Sequence, residues 1–160
     1  MTTHQNRTPW VLIVLTAMTL LGSISLAIAA RPAVPNDTYQ KAIVIDSLPY
    51  SNTQDTVDAK SSKADPLPSC QNVGHTVWYT FTPSTDATIT ADTFGSDYDT
   101  VLTVYTRSRG KFTEVACNDD TATNLQSEVT FNATTGTTYY IMVSACCGND
   151  AGNLVLNVSE

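Results

Sequence analysis

Histidine and positive charge are both scarce in this sequence. Only two of its 160 residues are histidine, and eight lysine and arginine residues stand against fifteen aspartate and glutamate residues. Nucleic acids and anionic lipid surfaces are bound through clustered lysine and arginine. The composition therefore argues against either as the main partner. An acidic surface instead favours solubility outside the cell and affinity for cations.

Signatures of catalysis are absent as well. The sequence contains neither G-x-S-x-G nor H-E-x-x-H. A Ser-His-Asp arrangement would have to use His75, which begins the alternating run HTVWYTF and is more typical of a strand edge than of a general base. Paired acids such as Asp97 and Asp99 occur in hydrolases, but acids in turns between strands more often cap the turn or bind a cation. We therefore expect a protein that is not an enzyme.

The N-terminal segment has the features of a targeting signal. Trp10–Ala30 carries no charge, follows Arg7, and contains the small-residue pattern Ala27-Ile28-Ala29 that signal peptidase cleaves. We expect residues 1–29 to be a signal peptide, with an uncleaved N-terminal anchor as the alternative. Residues 30–160 are then one domain of a secreted, periplasmic or cell-surface protein. This part keeps seven of the eight basic residues and all fifteen acids, a net charge of −8.

Beyond residue 30 the apolar residues alternate with polar ones, and no helical periodicity is sustained. In HTVWYTFTP, for example, Val77, Tyr79 and Phe81 share one face until Pro83 ends the run. The predicted strands are 43–45, 50–57, 75–82, 87–92, 101–106, 113–117, 128–132, 138–145 and 154–158. Eight or nine short strands at this spacing are typical of an antiparallel β-sandwich or jelly roll.

All four cysteines, Cys70, Cys117, Cys146 and Cys147, lie in the part expected to be exported. An even number of cysteines in an oxidising compartment favours disulfides. A bond between the adjacent Cys146 and Cys147 would be strained. We therefore expect Cys117 to pair with one of these two and Cys70 with the other. Cys70 would then tie down the long loop at 58–72.

Oxygen-bearing side chains flank the two central strands, 101–106 and 113–117. If these strands pair as a hairpin, the residues before the first and after the second come to the same end of the sheet. They are Asp97, Asp99, Asn118, Asp119 and Asp120. Several oxygens from neighbouring loops suit a hard cation, so these five residues are a candidate calcium site. The alternative is that Asp99 and Asn118 accept backbone N–H groups and brace the turns.

Three aromatic residues are candidates for a ligand-binding surface: Trp78, Tyr98 and Tyr140. Trp78 and Tyr140 fall on the faces of their strands opposite to Val77 and Ile141. Aromatic side chains that face outward stack on sugar rings or lie against apolar partners. The alternative is that Trp78 is a large core residue of the sandwich.

Five segments resemble, in order, the bacterial pre-peptidase C-terminal domain family. They are HTVWYTFTP, ATITADTFGSDYDTVLTVYT, TEVACNDD, LQSEVTFNATTGTTYYIMVS and GNLVLNV. The resemblance extends from about Asn36 to the end of the chain. Members of that family are β-sandwich modules attached to secreted peptidases and other exported proteins, and are similar in fold to the collagen-binding modules of clostridial collagenases. The resemblance implies an exported accessory module.

These observations support three hypotheses about function. The leading one is an exported, non-catalytic binding or accessory module that recognises an extracellular protein or polysaccharide. The second is an accessory domain that assists the secretion or maturation of a partner peptidase, and the third is a small hydrolase. The leading hypothesis involves no cofactor other than Ca²⁺, and no nucleic acid or membrane once the signal is cleaved.

Overall fold

Strands dominate the described part of the chain. The computed structural model describes Met1, residues 31–148 and residues 151–160, so the predicted signal peptide and its cleavage lie outside the described residues apart from Met1. Arg31–Glu160 forms one structural unit. Within the described ranges, no helix has the length and hydrophobicity needed to cross a membrane.

One 3-10 turn, Tyr39–Lys41, precedes the strands. The strands are β1 (Ile43–Ile45), β2 (Tyr50–Asp55), β3 (Val73–Phe81), β4 (Ala87–Asp92), β5 (Thr100–Ser108), β6 (Lys111–Asn118), β7 (Glu128–Ala133), β8 (Tyr139–Cys146) and β9 (Asn153–Ser159). They form a five-stranded sheet in the order β1-β3-β8-β5-β6 and a four-stranded sheet in the order β2-β9-β4-β7. The predicted all-β sandwich is confirmed.

One strand pair departs from the antiparallel prediction. β1 pairs with β3 in parallel, with Ile43 opposite Tyr79 and Ile45 opposite Phe81. The chain leaves the five-stranded sheet after β1, contributes β2 to the other sheet, and returns as β3. A parallel pair needs such a crossover connection, whereas antiparallel neighbours can be joined by a tight turn.

The β5–β6 hairpin is the longest antiparallel ribbon that a tight turn closes. Its turn consists of Arg109 and Gly110, which have φ angles of 50° and 83°. Positive φ at both central residues is the conformation that matches the twist of hairpin strands. The register shifts between Val104 and Tyr105, which leaves Val115 without a partner in a β-bulge.

The main core lies between the two sheets and follows the predicted alternation. The five-stranded sheet contributes residues such as Tyr79, Leu102 and Ile141, and the four-stranded sheet contributes residues such as Ile89 and Leu156. All five have no exposed surface. Burial of large apolar side chains on both facing sheets is what stabilises a sandwich.

A second, smaller core lies on the outer face of the five-stranded sheet. Trp78, Tyr105 and Met142 are buried there, and their partly buried neighbours include Tyr39 and Phe112. The 3-10 turn contributes to this cover, since the ring centroids of Tyr39 and Trp78 are 6.1 Å apart. The burial of Trp78 agrees with the alternative that it is a core residue, whereas the rest of this outer core was not predicted.

The loop 56–72, which we call the outer loop, crosses this outer face. At one side, the Thr76 hydroxyl on β3 donates to the Lys60 carbonyl at 3.1 Å and to Asp65 Oδ2 at 2.8 Å. At the other side, Ser69 donates to the Glu114 carboxylate on β6. β8 and β5 lie between those two strands. The loop therefore spans most of the width of the sheet, and the prediction that it is tied down is confirmed.

Candidate functional site

The hairpin register brings three carboxylates together at the base of β5 and β6. Asp99 directly precedes β5, and Asp119 and Asp120 directly follow β6. One carboxylate oxygen from each of the three lies within 4.8 Å of the others. We call Asp99, Asp119 and Asp120 the acidic base of the hairpin. Like charges this close repel one another unless a cation or hydrogen-bond donors compensate.

Asp119 is held from both its backbone and its side chain. Its carbonyl oxygen accepts from the Ser127 hydroxyl, and its Oδ2 accepts from Gln71 Nε2 at 3.2 Å. Its Oδ1 is buried and has no hydrogen-bond partner among the described residues. A buried carboxylate oxygen without a donor is costly, and an ion or a water is the usual explanation.

Two of the five predicted calcium ligands have other structural roles. Asp97 Oδ1 accepts from the Asn153 backbone N–H at 2.7 Å, and Asp97 Oδ2 accepts from Asn153 Nδ2 at 3.0 Å. Asn118 Oδ1 accepts from the Glu128 N–H at 3.0 Å, while its Nδ2 donates to the Asp120 carbonyl at 3.1 Å. Both residues therefore brace turns. For Asn118, this is the alternative role that the sequence suggested.

The acidic base fits a hard cation by its donor set. Ca²⁺ takes six to eight oxygen ligands, and carboxylates bind it in one or two positions. Three carboxylates can supply about half of such a shell. The unpartnered Asp119 Oδ1 is the structural observation that such an ion would explain.

The predicted cysteine pairing is wrong. Cys70 is bonded to Cys117, with their Cα atoms 5.8 Å apart, and Cys146 is bonded to Cys147. The path of the loop explains the first bond, because the loop crosses to β6 and passes Cys117 before it returns to the start of β3. Cys146 lies instead at the end of β8, opposite Val73 on β3. One strand, β5, separates β8 from β6, so Cys146 and Cys117 are not neighbours in the sheet.

Two of the three residues of the candidate aromatic surface are buried. Trp78 has no exposed surface, as the alternative of a core residue predicted, and it packs against Tyr39 and Phe112 in the outer core. Tyr98 is 9% exposed, accepts a hydrogen bond from the Thr56 hydroxyl at 3.3 Å, and burial raises its pKa to about 12. Tyr140 is half-buried against Phe112. Among these three, only Tyr140 keeps appreciable access to solvent.

His75 lies in an irregular part of β3 and has a φ of 51°. The register shifts between Gly74 and Val77, so His75 sits in a bulge rather than in the regular ladder. Its Nδ1 is buried and has no hydrogen-bond partner in the described part of the chain. A general base of a catalytic triad is oriented by a carboxylate at this nitrogen, and here that contact is missing.

The sequence reasoning missed a group of cations at the opposite end of the hairpin. Arg107, Arg109 and Lys111 are all exposed and lie within five residues of one another at the turn. We call these three residues the basic tip. The string RSRGK in an otherwise acidic chain was the signal that could have identified it.

Comparisons with known proteins give a structural likeness and little else. No family model matches the chain, and no curated protein does. Among solved structures, the fold is similar to the pre-peptidase C-terminal domain of a collagenase from Bacillus anthracis, with 17% identity and a TM-score of 0.45. The match covers 81% of this chain and 97% of that one. It concerns the same kind of domain as the resemblance found in the sequence.

Proposed function

We propose that this chain is an exported, non-catalytic β-sandwich module that binds an extracellular protein or polysaccharide. The observation that carries the proposal is the separation of charge along the β5–β6 hairpin. The acidic base lies at one end, and exposed arginine and lysine lie at the other. β5 has nine residues, so the two ends are roughly 30 Å apart at about 3.3 Å per residue.

The scaffold that carries these charges is firmly braced. The Cys70–Cys117 bond fastens the outer loop to β6, and Glu114 accepts two hydrogen bonds from Ser69 in the same loop. Asp97 and Asn118 fix the turns next to the acidic base. Recognition is strengthened when the contacting groups are held in place before the partner arrives. A braced surface with segregated charge therefore supports a binding role.

The acidic base is proposed to hold Ca²⁺ rather than to do chemistry. Its three ligands come from two loops, so an ion shared among them would join the segment before β5 to the segment after β6. Such an ion would offset the repulsion among the carboxylates and give Asp119 Oδ1 a partner. Its role would be to stabilise the end of the sandwich.

The proposal is tested by incubating the full chain with immobilised collagen, chitin, cellulose and peptidoglycan. Retention on at least one polymer, without release of soluble fragments, is the expected result, and uncoated beads serve as the control. Release of fragments would favour the hydrolase hypothesis instead. No retention on any polymer, together with a higher yield of an active secreted peptidase on co-expression, would favour the accessory hypothesis.

A further inference from the structure

The basic tip is a local exception on an acidic surface. It contains three of the seven lysine and arginine residues that follow residue 30. All three side chains are exposed, and both ion pairs among the described residues belong to Arg31. The nearest acid along β6, Glu114, already accepts hydrogen bonds from Ser69. The cations of the tip therefore face solvent with their charge uncompensated by an ion pair in the described structure.

Arg107 is held in place by aromatic rings. Its guanidinium carbon lies 4.8 Å from the centroid of Tyr39 and 5.4 Å from that of Phe112. Its Nη2 also donates to the Tyr39 hydroxyl at 3.2 Å. Cation–π contacts and one hydrogen bond use only part of a guanidinium, which has five N–H donors. The remaining donors of Arg107 are thus presented in a fixed orientation.

The turn places two more cations beside this arginine. Arg109 occupies the first central position of the turn, and Lys111 begins β6 directly after Gly110. A Cβ built on Gly110 would lie 3.9 Å from Arg107 Nη2, so the arginine reaches the turn itself. Tyr39, which contacts Arg107, packs in turn against Phe112 with ring centroids 5.2 Å apart.

We infer that the basic tip binds a polysaccharide that carries carboxylate groups. A guanidinium fork matches a carboxylate with two parallel hydrogen bonds, and an oriented guanidinium loses less entropy when it binds. The half-buried rings of Tyr39 and Phe112 lie beside Arg107, and Tyr140 packs against Phe112, so aromatic surface for sugar rings adjoins the cations. The inference rests on the proposed function, since it names the ligand class and the surface of that binding module.

The net negative charge of the chain does not prevent this binding. At physiological ionic strength, charges are screened over a Debye length of about 8 Å, and the acidic base is roughly 30 Å away along β5. The positive charge of the basic tip, rather than the net charge of the chain, therefore determines whether a polyanion binds there. Duplex DNA carries one charge per about 1.7 Å of its axis, far denser than three cations can match.

The test measures retention of the full chain on polygalacturonate beads, with neutral dextran beads alongside. The wild-type chain should bind polygalacturonate more tightly than dextran and should be released as salt is raised. Arg107→Gln/Arg109→Gln should weaken this binding about tenfold, because two of the exposed charges are lost. Lys60→Gln/Lys63→Gln removes the same charge from two exposed lysines of the outer loop and should leave binding unchanged.

Arg109→Gln/Lys111→Gln is the second variant, because it leaves the contact of Arg107 with its rings intact and so protects against loss by misfolding. It should weaken binding by a similar factor at an unchanged melting temperature. Equal losses in the tip and loop variants, or no loss in either tip variant, would overturn the inference. Equal retention on immobilised polyglutamate would also overturn it, in favour of an acidic protein partner. If collagen or chitin retained the wild type and both tip variants equally, only this inference would be overturned. No retention on any polymer would contradict the proposed function too.

Discussion

Cys70 and Cys117 are bonded across the outer edge of the five-stranded sheet, with their Cα atoms 5.8 Å apart. Cys70 ends the loop that crosses the sheet, and Cys117 lies on the edge strand β6, opposite Thr103. The bond thus fastens the loop that crosses the outer face of the sheet to β6. A single covalent link therefore joins this loop to the hairpin that carries both charged ends.

Removing this bond should destabilise the fold markedly. Cys70→Ala/Cys117→Ala opens a loop between residues 47 apart, which corresponds to roughly 4 kcal/mol in the chain-entropy account. Urea unfolding of the full chain measures the free energy of unfolding. Cys146→Ala/Cys147→Ala is the matched control, because that bond joins neighbours and closes no loop of the same kind. Equal losses in the two variants would contradict the role assigned to the Cys70–Cys117 bond.

The same variant should expose Trp78. The wild-type side chain has no exposed surface, so an added quencher such as acrylamide should reach it poorly. In a Trp10→Phe background, Trp78 is the only tryptophan of the chain and accounts for the tryptophan emission. Quenching should rise when Cys70 and Cys117 are replaced, and should stay low when Cys146 and Cys147 are replaced. Strong quenching of the unmodified chain would mean that the outer face is open.

The strands could be predicted from the sequence because apolar and polar residues alternate within each strand, and this local pattern does not depend on distant contacts. Every predicted strand coincides with an observed one, with ends that differ by a few residues. The second core could in principle have been predicted too. β3, β5 and β8 carry large apolar or aromatic residues on both faces, for example Val77 beside Trp78, and such strands are usually covered on both sides.

The cysteine pairing could not be predicted because it depends on the path of a loop. The sequence of residues 56–72 gives no sign that the loop crosses the sheet as far as β6. The contacts that hold it there, such as the hydrogen bond from Ser69 to Glu114, join residues 45 positions apart in the sequence. The candidate cation site shows the same limit. Asp97 and Asp99 look equivalent in the sequence, yet Asp97 is bonded to Asn153 while Asp99 lies beside Asp119. Only the register between distant strands separates them.

Gly152 should be intolerant of a side chain. A Cβ at this position would lie 2.1 Å from Asp97 Oδ1, so Gly152→Ala must displace the carboxylate that accepts from Asn153. We expect a loss of about 1 to 3 kcal/mol in the free energy of unfolding. Gly74→Ala is the control, since a Cβ there meets nothing within 4 Å. A neutral Gly152→Ala would show that Asp97 does not need its present position.

Asp86 should make stability depend on pH in the acid range. The backbone N–H of Thr135 donates to Asp86 Oδ1 at 2.7 Å, and its hydroxyl donates at 2.9 Å. These bonds hold the pKa of Asp86 below its usual value of 3.8. Because the unfolded chain then binds the proton more readily, the stabilisation is present above pH 3.8 and is lost as pH falls through the lower folded pKa.

The measurement is an NMR titration of the Asp86 carboxyl carbon. Thr135→Val removes the hydroxyl donor and keeps the backbone donor, so the pKa should rise part of the way towards 3.8. The difference in stability between the wild type and Asp86→Asn should narrow as the solution is acidified below that value. An Asp86 pKa that does not respond to Thr135→Val would show that the hydroxyl bond contributes nothing.

Calcium should stabilise the fold through the acidic base. If Asp99, Asp119 and Asp120 share an ion in the native state only, Ca²⁺ at a hundredfold excess over its dissociation constant adds about 2.7 kcal/mol. The melting temperature of the full chain should therefore be higher in millimolar Ca²⁺ than in EDTA. Mg²⁺ should have a smaller effect, because it requires a tighter octahedral shell and gives up its water reluctantly.

Two substitutions that make the same chemical change separate the ion site from the turn brace. Asp119→Asn removes one charge from the acidic base, so the response to Ca²⁺ should be lost, while stability in EDTA should rise because repulsion is relieved. Asp97→Asn alters a carboxylate that accepts two hydrogen bonds from Asn153, so stability should fall equally in EDTA and in Ca²⁺ with the calcium response intact. Identical wild-type melting curves in EDTA and Ca²⁺ would remove the calcium proposal, and the repulsion at the acidic base would then have to be offset by protein donors alone.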